Sequence, residues 1–199
     1  MGSPAPMDWA ARYRDRNTPW DLGVAHPEFE HRLGSLAPGT RLFVPGCGRG
    51  HDALYFARQG CEVIAVDVVP DLADVVRAEL EEHGGRFEVT DALAYRTDEP
   101  FDALLEHTFF CAIDPSERAR WGELADSVLG PNGRVCALAF PMDRPAELGG
   151  PPWGYRPADM ESALAGRFRL TIDEPVQRRI SSRQWEERWT VFERVKRPR

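Results

Sequence analysis

Leu42-Phe43-Val44-Pro45-Gly46-Cys47-Gly48-Arg49-Gly50 is the stretch on which the fold turns. An apolar, β-type run ends in closely spaced glycines, and a helical apolar pattern begins at Asp52. Strand, glycine turn and helix in that order open a βαβ unit. About 20 residues further on, Val63-Ile64-Ala65-Val66-Asp67 forms a second apolar run that closes on an acid. Glycine lets a backbone take positive φ and approach a ligand closely. A carboxylate at the end of the second strand accepts the ribose hydroxyls of a nucleoside.

Working outward, β-type runs alternate with helical ones, which predicts a parallel sheet covered on both faces. The expected strands are Arg41–Val44, Glu62–Asp67, Arg86–Thr90, Phe101–Glu106 and Arg134–Phe140. Helices are expected over Asp52–Arg58, Asp71–Glu82 and Pro115–Val128, the last capped by Asp114 or Ser116 and stopped by Gly130-Pro131-Asn132-Gly133. Two late alternating runs, Arg167–Ile172 and Glu187–Val195, suit an antiparallel finish; Phe192 breaks the phase of Trp189, Val191 and Val195, which predicts a bulge there. One domain spans 1–199, divided into an arm (1–38) and a nucleotide-binding core (39–199). The arm carries a helix with Trp9, Ala10 and Tyr13, a turn at Thr18-Pro19-Trp20-Asp21, and a helix around Phe29–Leu36. Pro141–Pro157 reads as a long irregular loop that lines the ligand crevice.

Composition narrows the partners. A formal charge of −7 argues against nucleic acid, whose binding leans on Lys and Arg, and the basic tail Arg194, Lys196, Arg197 and Arg199 reads as a solvated chain end. No apolar run approaches the roughly 20 residues that span a bilayer, and the first residues lack the pattern of a secretory leader. A cytoplasmic enzyme acting on a small molecule, expected as a monomer, is the natural reading. Cys61, Cys111 and Cys136 lie in apolar runs as small hydrophobes, and no metal-ligand spacing is present in the sequence.

Two nucleoside ligands compete for the glycine turn. A dinucleotide such as NAD prefers GxGxxG, whereas the spacing here is GxGxG, and Asp52 at the helix mouth repels a pyrophosphate but not a cationic amino-acid group. Asp91, just past the third strand in Val89-Thr90-Asp91-Ala92, is placed to accept from an adenine amino group. These cues favour S-adenosylmethionine, although Val44 stands where many enzymes using it carry an acid.

The chain resembles the thiopurine, thiol and halide methyltransferase family. The likeness is carried by Trp9, Tyr13 and Thr18-Pro19-Trp20-Asp21-Leu22-Gly23, by Pro45-Gly46-Cys47-Gly48-Arg49-Gly50-His51-Asp52, by Thr108-Phe109-Phe110-Cys111-Ala112-Ile113 with Pro115, Arg118 and Trp121, and by Phe140-Pro141 and Gly149-Gly150-Pro151-Pro152. It implies a Rossmann-like class I methyltransferase fold with a seven-stranded, mostly parallel sheet, an N-terminal helical lid, and S-adenosylmethionine converted to S-adenosylhomocysteine. By resemblance, cofactor contacts fall on Trp9, Tyr13, Trp20, Gly46, Asp67, Asp91, Ala92 and His107; Cys47, Gly48 and Val68 complete the expected set. The family pairs Asp with Tyr or Arg after its fourth strand, and here the pair is Glu106-His107, the expected catalytic residues.

Transfer from a sulfonium is an in-line displacement that needs the nucleophile held about 3–3.5 Å from the methyl carbon, water excluded, and no metal. Tyr13, Trp20, Phe109, Phe110 and Trp153 are the candidates for an aromatic substrate pocket suited to a sulfonium and a soft acceptor. A thiol sulfur is the expected acceptor. An O- or carboxyl-methyltransferase and a non-catalytic binder of S-adenosylmethionine are the alternatives.

Overall fold

The computed structural model describes residues 7–196. Seven strands form one sheet: β1 (Arg41–Pro45), β2 (Glu62–Asp67), β3 (Arg86–Val89), β4 (Phe101–His107), β5 (Leu129–Ala139), β6 (Phe168–Pro175) and β7 (Arg188–Arg194). Their order is β3-β2-β1-β4-β5-β7-β6. The first five run parallel, and β7 and β6 join antiparallel at the far side. The order reverses direction beside β1, between β1 and β4, so the carboxyl ends of these two strands diverge into the crevice where such sheets take ligands.

Helices cover both faces, which is why the central strands are apolar throughout. Leu42, Val44, Ala65 and Leu105 face one layer with α2 (Pro27–Leu33), α3 (His51–Arg58) and α4 (Ala73–Glu82), centred on Phe29, Phe56, Val76 and Leu80. Phe43, Val66 and Leu104 face the other with α5 (Arg118–Val128) and α6 (Pro157–Ala163), centred on Trp121, Leu124 and Met160. The arm's first helix, α1 (Trp9–Arg14), contributes no fully buried residue and packs from outside.

Local chemistry moves several boundaries. α2 starts at Pro27 because His26 caps it, its Nδ1 accepting from the Glu28 amide at 3.1 Å, and it stops at Leu33 rather than Leu36. Asp114 accepts from the Ser116 amide at 2.9 Å, and a short 3-10 turn over Pro115–Glu117 leads into α5. The glycine-proline run after α5 ends the helix at Val128 as expected, yet Leu129 already pairs with Phe101, and the turn residues are absorbed as an irregularity before Arg134 meets Ala103.

The expected bulge at Phe192 is not found there. β7 is an interior strand with both faces covered, so Trp189 and Val191 enter one core layer and Phe192 the other, with no break in phase. The irregularity sits opposite, at Thr171 of β6, where Leu170 pairs with Phe192 and Ile172 with Val191. Val195 lies beyond β7 and is exposed. Arg194 is not a solvated end: it pairs with Asp126 and donates to the carbonyls of Leu129 and Gly130. Lys196 is exposed, and Arg197 and Arg199 lie outside the described residues. Cys61, Cys111 and Cys136 are buried and free. Among the described residues, no helix is long and apolar enough to cross a membrane.

Candidate active site

The cleft at the ends of β1 and β4 is built on the glycine turn. Gly46, Gly48 and Gly50 have φ of 57°, 54° and 73°, the left-handed region that side chains avoid. A side chain at Gly46 would overlap the Phe109 ring, and one at Gly48 would crowd the Tyr13 hydroxyl, 2.7 Å from the added carbon. Backbone is therefore the floor of the cleft. Beside it, Asp67 ends β2 with its carboxylate almost wholly buried; one oxygen accepts from the Gly48 amide at 2.9 Å and the other from the Val69 amide at 3.0 Å. Burial holds its pKa above the usual carboxylate value. Each oxygen keeps a further lone pair, which suits the two hydroxyls of a ribose. Glycine cradle and buried acceptor together fit the nucleoside end of S-adenosylmethionine.

The arm roofs this floor. Asp8 caps α1, accepting from the Ala11 amide at 2.8 Å, and Tyr13 and Trp20 meet edge to face at 5.8 Å. The Trp20 indole donates to the Tyr13 hydroxyl at 3.3 Å, and Trp9 backs Trp20 at 5.5 Å. Burial pushes the Tyr13 phenol up to about 12, so it stays protonated. Asp21 latches the arm to the turn: its oxygens lie 2.8 Å from Arg49 Nε and 3.1 Å from His51 Nε2, and one accepts from the Gly23 amide.

At the end of β4 the side chains alternate across the sheet. His107 points to the cleft with Thr108, whose φ of 61° marks a tight turn. Glu106 points the other way and is fully buried. Its Oε1 accepts from the amides of Phe109 and Phe110 at 2.9 and 2.8 Å, and its Oε2 from the Trp121 indole at 3.2 Å. Burial pushes this carboxyl up to about 7 against those three donors. Glu106 shapes the 107–110 turn and does not line the cleft, which corrects its reading as a catalytic group.

His107 is the hub of a buried polar ring. Its Nδ1 lies 2.6 Å from Asp52 Oδ2 and its Nε2 2.6 Å from Arg183 Nη2. Arg183 pairs with Glu187, whose Oε1 is 3.4 Å from His26 Nε2, and the His26 amide closes the ring by donating to Asp52 Oδ1 at 2.8 Å. Burial and Arg183 hold the His107 pKa below its ordinary value against the opposing charge of Asp52.

Tyr13, Trp20, Gly46, Cys47, Gly48 and His107 share the lining of one cleft with Asp21, Arg49, Asp52 and Thr108. Asp67, Val68, Asp91 and Ala92 stand at the adjoining ends of β2 and β3, outside that lining; Asp91 accepts from the Leu93 amide and faces Arg120 at 3.5 Å. Two of the five expected pocket aromatics, Tyr13 and Trp20, line the cleft. Phe109 packs behind Gly46, Phe110 is core against Trp121, and Trp153 covers Gly150. The Pro141–Pro157 loop borders a separate shallow groove with Arg156 and Asp159 instead of this cleft. Sequence reasoning missed His26, Arg183 and Glu187 altogether. The one available signal was their position beside apolar core residues such as Phe29 and Trp189.

Comparison with known proteins agrees with this geometry. Residues 5–195 match the family model described as thiopurine S-methyltransferase. A probable thiol methyltransferase 2 of Arabidopsis thaliana is 31% identical over 170 residues, covering 82% of this chain and 74% of that protein. A thiopurine S-methyltransferase of Pseudomonas putida is 27% identical over 183 residues, covering 81% and 83%. In fold, the 1,6-didemethyltoxoflavin-N1-methyltransferase of Burkholderia thailandensis superposes with a TM-score of 0.73 at 21% identity, over 98% of this chain and 93% of that one. A Rossmann-like sheet whose strand ends carry a glycine cradle and a buried acid, matched along almost its whole length, places this chain in the thiopurine S-methyltransferase family as an S-adenosylmethionine-dependent enzyme.

Proposed function

We propose that this enzyme methylates a small thiol at sulfur. The observation that carries the reading is that His107, the imidazole the cleft presents beside Thr108 at the end of β4, has neither ring nitrogen free to act as a base. His107 is engaged at both nitrogens, Asp52 is bonded to His107 and His26, and Asp21 is bonded to Arg49 and His51. Cys47 is held neutral by burial and by the nearby Asp67, and Tyr13 is neutral. An acceptor must therefore bring its own lone pair. A thiol, with a reference pKa of about 8.5, ionises without help, whereas an alcohol does not. A carboxylate acceptor would arrive ionised but finds no uncommitted cation, since Arg49 is held by Asp21. The related thiol and thiopurine methyltransferases point to the same sulfur chemistry.

When bound, S-adenosylmethionine supplies a methyl group on a cationic sulfur, already activated for displacement. In this reading Gly46, Cys47 and Gly48 hold its amino-acid end, Asp67 and Val68 the ribose, and Asp91 and Ala92 the adenine. Asp52 would add negative charge to the cleft that the cation enters. Tyr13 and Trp20 close the arm over the reacting centre, exclude water and offer ring faces to the cation. His107 and Thr108 border the acceptor. No side chain moves a proton.

Incubation with S-adenosylmethionine and matched acceptors tests this. Thiophenol, a thiopurine and bisulfide should yield S-adenosylhomocysteine, with kcat/KM rising through the ionisation of the acceptor. Turnover confined to phenol or benzoate would refute a sulfur acceptor.

A further inference from the structure

The ring around His107 assigns a role to a residue that no motif marks. We propose that Arg183 is a positioning residue: by donating into the Nε2 lone pair of His107, it fixes that imidazole as the neutral Nδ1–H tautomer and denies it to the acceptor as a base. The proposal rests on the sulfur-acceptor reading only in placing His107 beside the acceptor.

The argument is one of donors and acceptors. An arginine guanidinium has only N–H groups to offer, so Nε2, 2.6 Å from Arg183 Nη2, must present a bare lone pair. An ionised carboxylate only accepts, so Nδ1, 2.6 Å from Asp52 Oδ2, must carry the hydrogen. One tautomer satisfies both contacts. An imidazolium would set N–H against N–H at Arg183. At His26 the same logic runs in reverse: Nδ1 accepts from the Glu28 amide, so the hydrogen sits on Nε2 and faces Glu187. The two histidines thus present opposite nitrogens as acceptors, Nε2 at His107 and Nδ1 at His26.

Arg183 itself is fixed. Its side chain is 6% exposed, its other terminal nitrogen pairs with Glu187, and its guanidinium lies 4.5 Å over the Phe140 ring. Its neighbours Ser181, Ser182 and Gln184 are exposed, so this loop turns inward at Arg183. A guanidinium suits the place because its planar fork sends one terminal nitrogen to the imidazole and the other to the carboxylate. The charged and titratable groups facing His107 are Asp52 from α3, Arg183 from the β6–β7 loop and His26 from the arm at 5.2 Å, with Glu187 behind the last two; α2 offers only the Phe29 ring, at 5.9 Å. Among these, Arg183 opposes protonation of His107 most directly, and Asp52 favours it.

Nitrogen-15 NMR of the full-length protein without ligands, with His107 assigned through His107→Gln, reads the tautomer directly. In the wild type, His107 should show the neutral Nδ1–H pattern from pH 8 down through the reference imidazole pKa of about 6.5. In Arg183→Met the contact and its opposing charge are gone, leaving burial and His26 to oppose Asp52, so the His107 pKa should rise by at least about one unit, a tenfold change in its protonation equilibrium. Arg183→Lys keeps the charge but loses the planar fork, and His107 in it should titrate between the two. With a thiol acceptor, kcat/KM of Arg183→Met should gain a second limb at the new His107 pKa, and kcat should fall with KM for S-adenosylmethionine little changed. A folded variant of either kind whose His107 keeps the wild-type tautomer and titration overturns the proposal. The NMR readout needs no acceptor, so failure of the thiol panel leaves it standing as a separate result.

Discussion

Glu106 and His107 are neighbours in sequence and serve opposite faces of the sheet. Glu106→Gln keeps one oxygen for the two backbone amides but sets an NH2 against the Trp121 indole N–H. It should destabilise the protein by about 1–3 kcal/mol in denaturant unfolding, the cost of a buried donor left unpaired. The same change should cost less in a Trp121→Phe background, where that donor is absent, and equal costs in both backgrounds would refute the account. At the other strand end, Asp67→Ala should weaken S-adenosylmethionine binding about 10-fold or more by calorimetry, because hydrogen bonds to a charged group contribute about 1.5–3 kcal/mol. The two acids differ in legibility for a physical reason. Asp67 is fixed by a local unit, strand to turn to strand, whose spacing the sequence displays. The ring around His107 is assembled from positions 55 and 76 residues apart, and a buried arginine or glutamate looks in sequence like any solvated charge.

Among the elements, the parallel strands β1, β2 and β4 are legible because both faces of each are buried, which leaves continuous apolar runs. β7 shares that environment, so the alternation of a half-exposed strand does not apply to its run and no bulge forms at Phe192. The arm divides into two parts with different duties. α1 and the Trp20 turn contribute no core residue of their own, whereas α2 buries Glu28, Phe29 and Leu33. Deleting residues through Gly23 should therefore leave a cooperatively folding protein, with a thermal midpoint within a few degrees of the full chain. Turnover should fall by at least about 100-fold, since loose positioning of reactants costs that much. Near-normal kcat in the truncated protein would reduce this segment to packing.

Across the whole molecule, three buried carboxylates tie the arm to the last hairpin and its surroundings. Burial pushes each of them up, but the partners win: Arg32 and the amides of Arg178 and Gln177 at Glu28, His107 and the His26 amide at Asp52, and His26 and Arg183 at Glu187. All three titrate below their ordinary values when folded. The unfolded chain then binds more protons, so the stability they contribute is present above about pH 4–4.5 and is lost as pH falls through the folded values. Glu106 and Asp67 are shifted up and act in the opposite sense above that range, where Glu106 loses its contribution as pH rises toward about 7. Unfolding free energy should peak near pH 5 and drop below about pH 4, and Glu28→Gln should flatten the acid limb in a denaturant series. These ties also order events in time. Glu28 grips the amides of Gln177 and Arg178, the latter 150 residues downstream, so this anchor of the arm is translated almost last. At about 5–20 residues per second, the arm waits on the order of 10 s outside the ribosome before its partners emerge. A nascent chain halted before the final hairpin would own the glycine turn, Asp67 and the arm's contacts to Arg49, His51 and Asp52, but would lack the amides that grip Glu28 and the Arg183–Glu187 pair that completes the ring around His107.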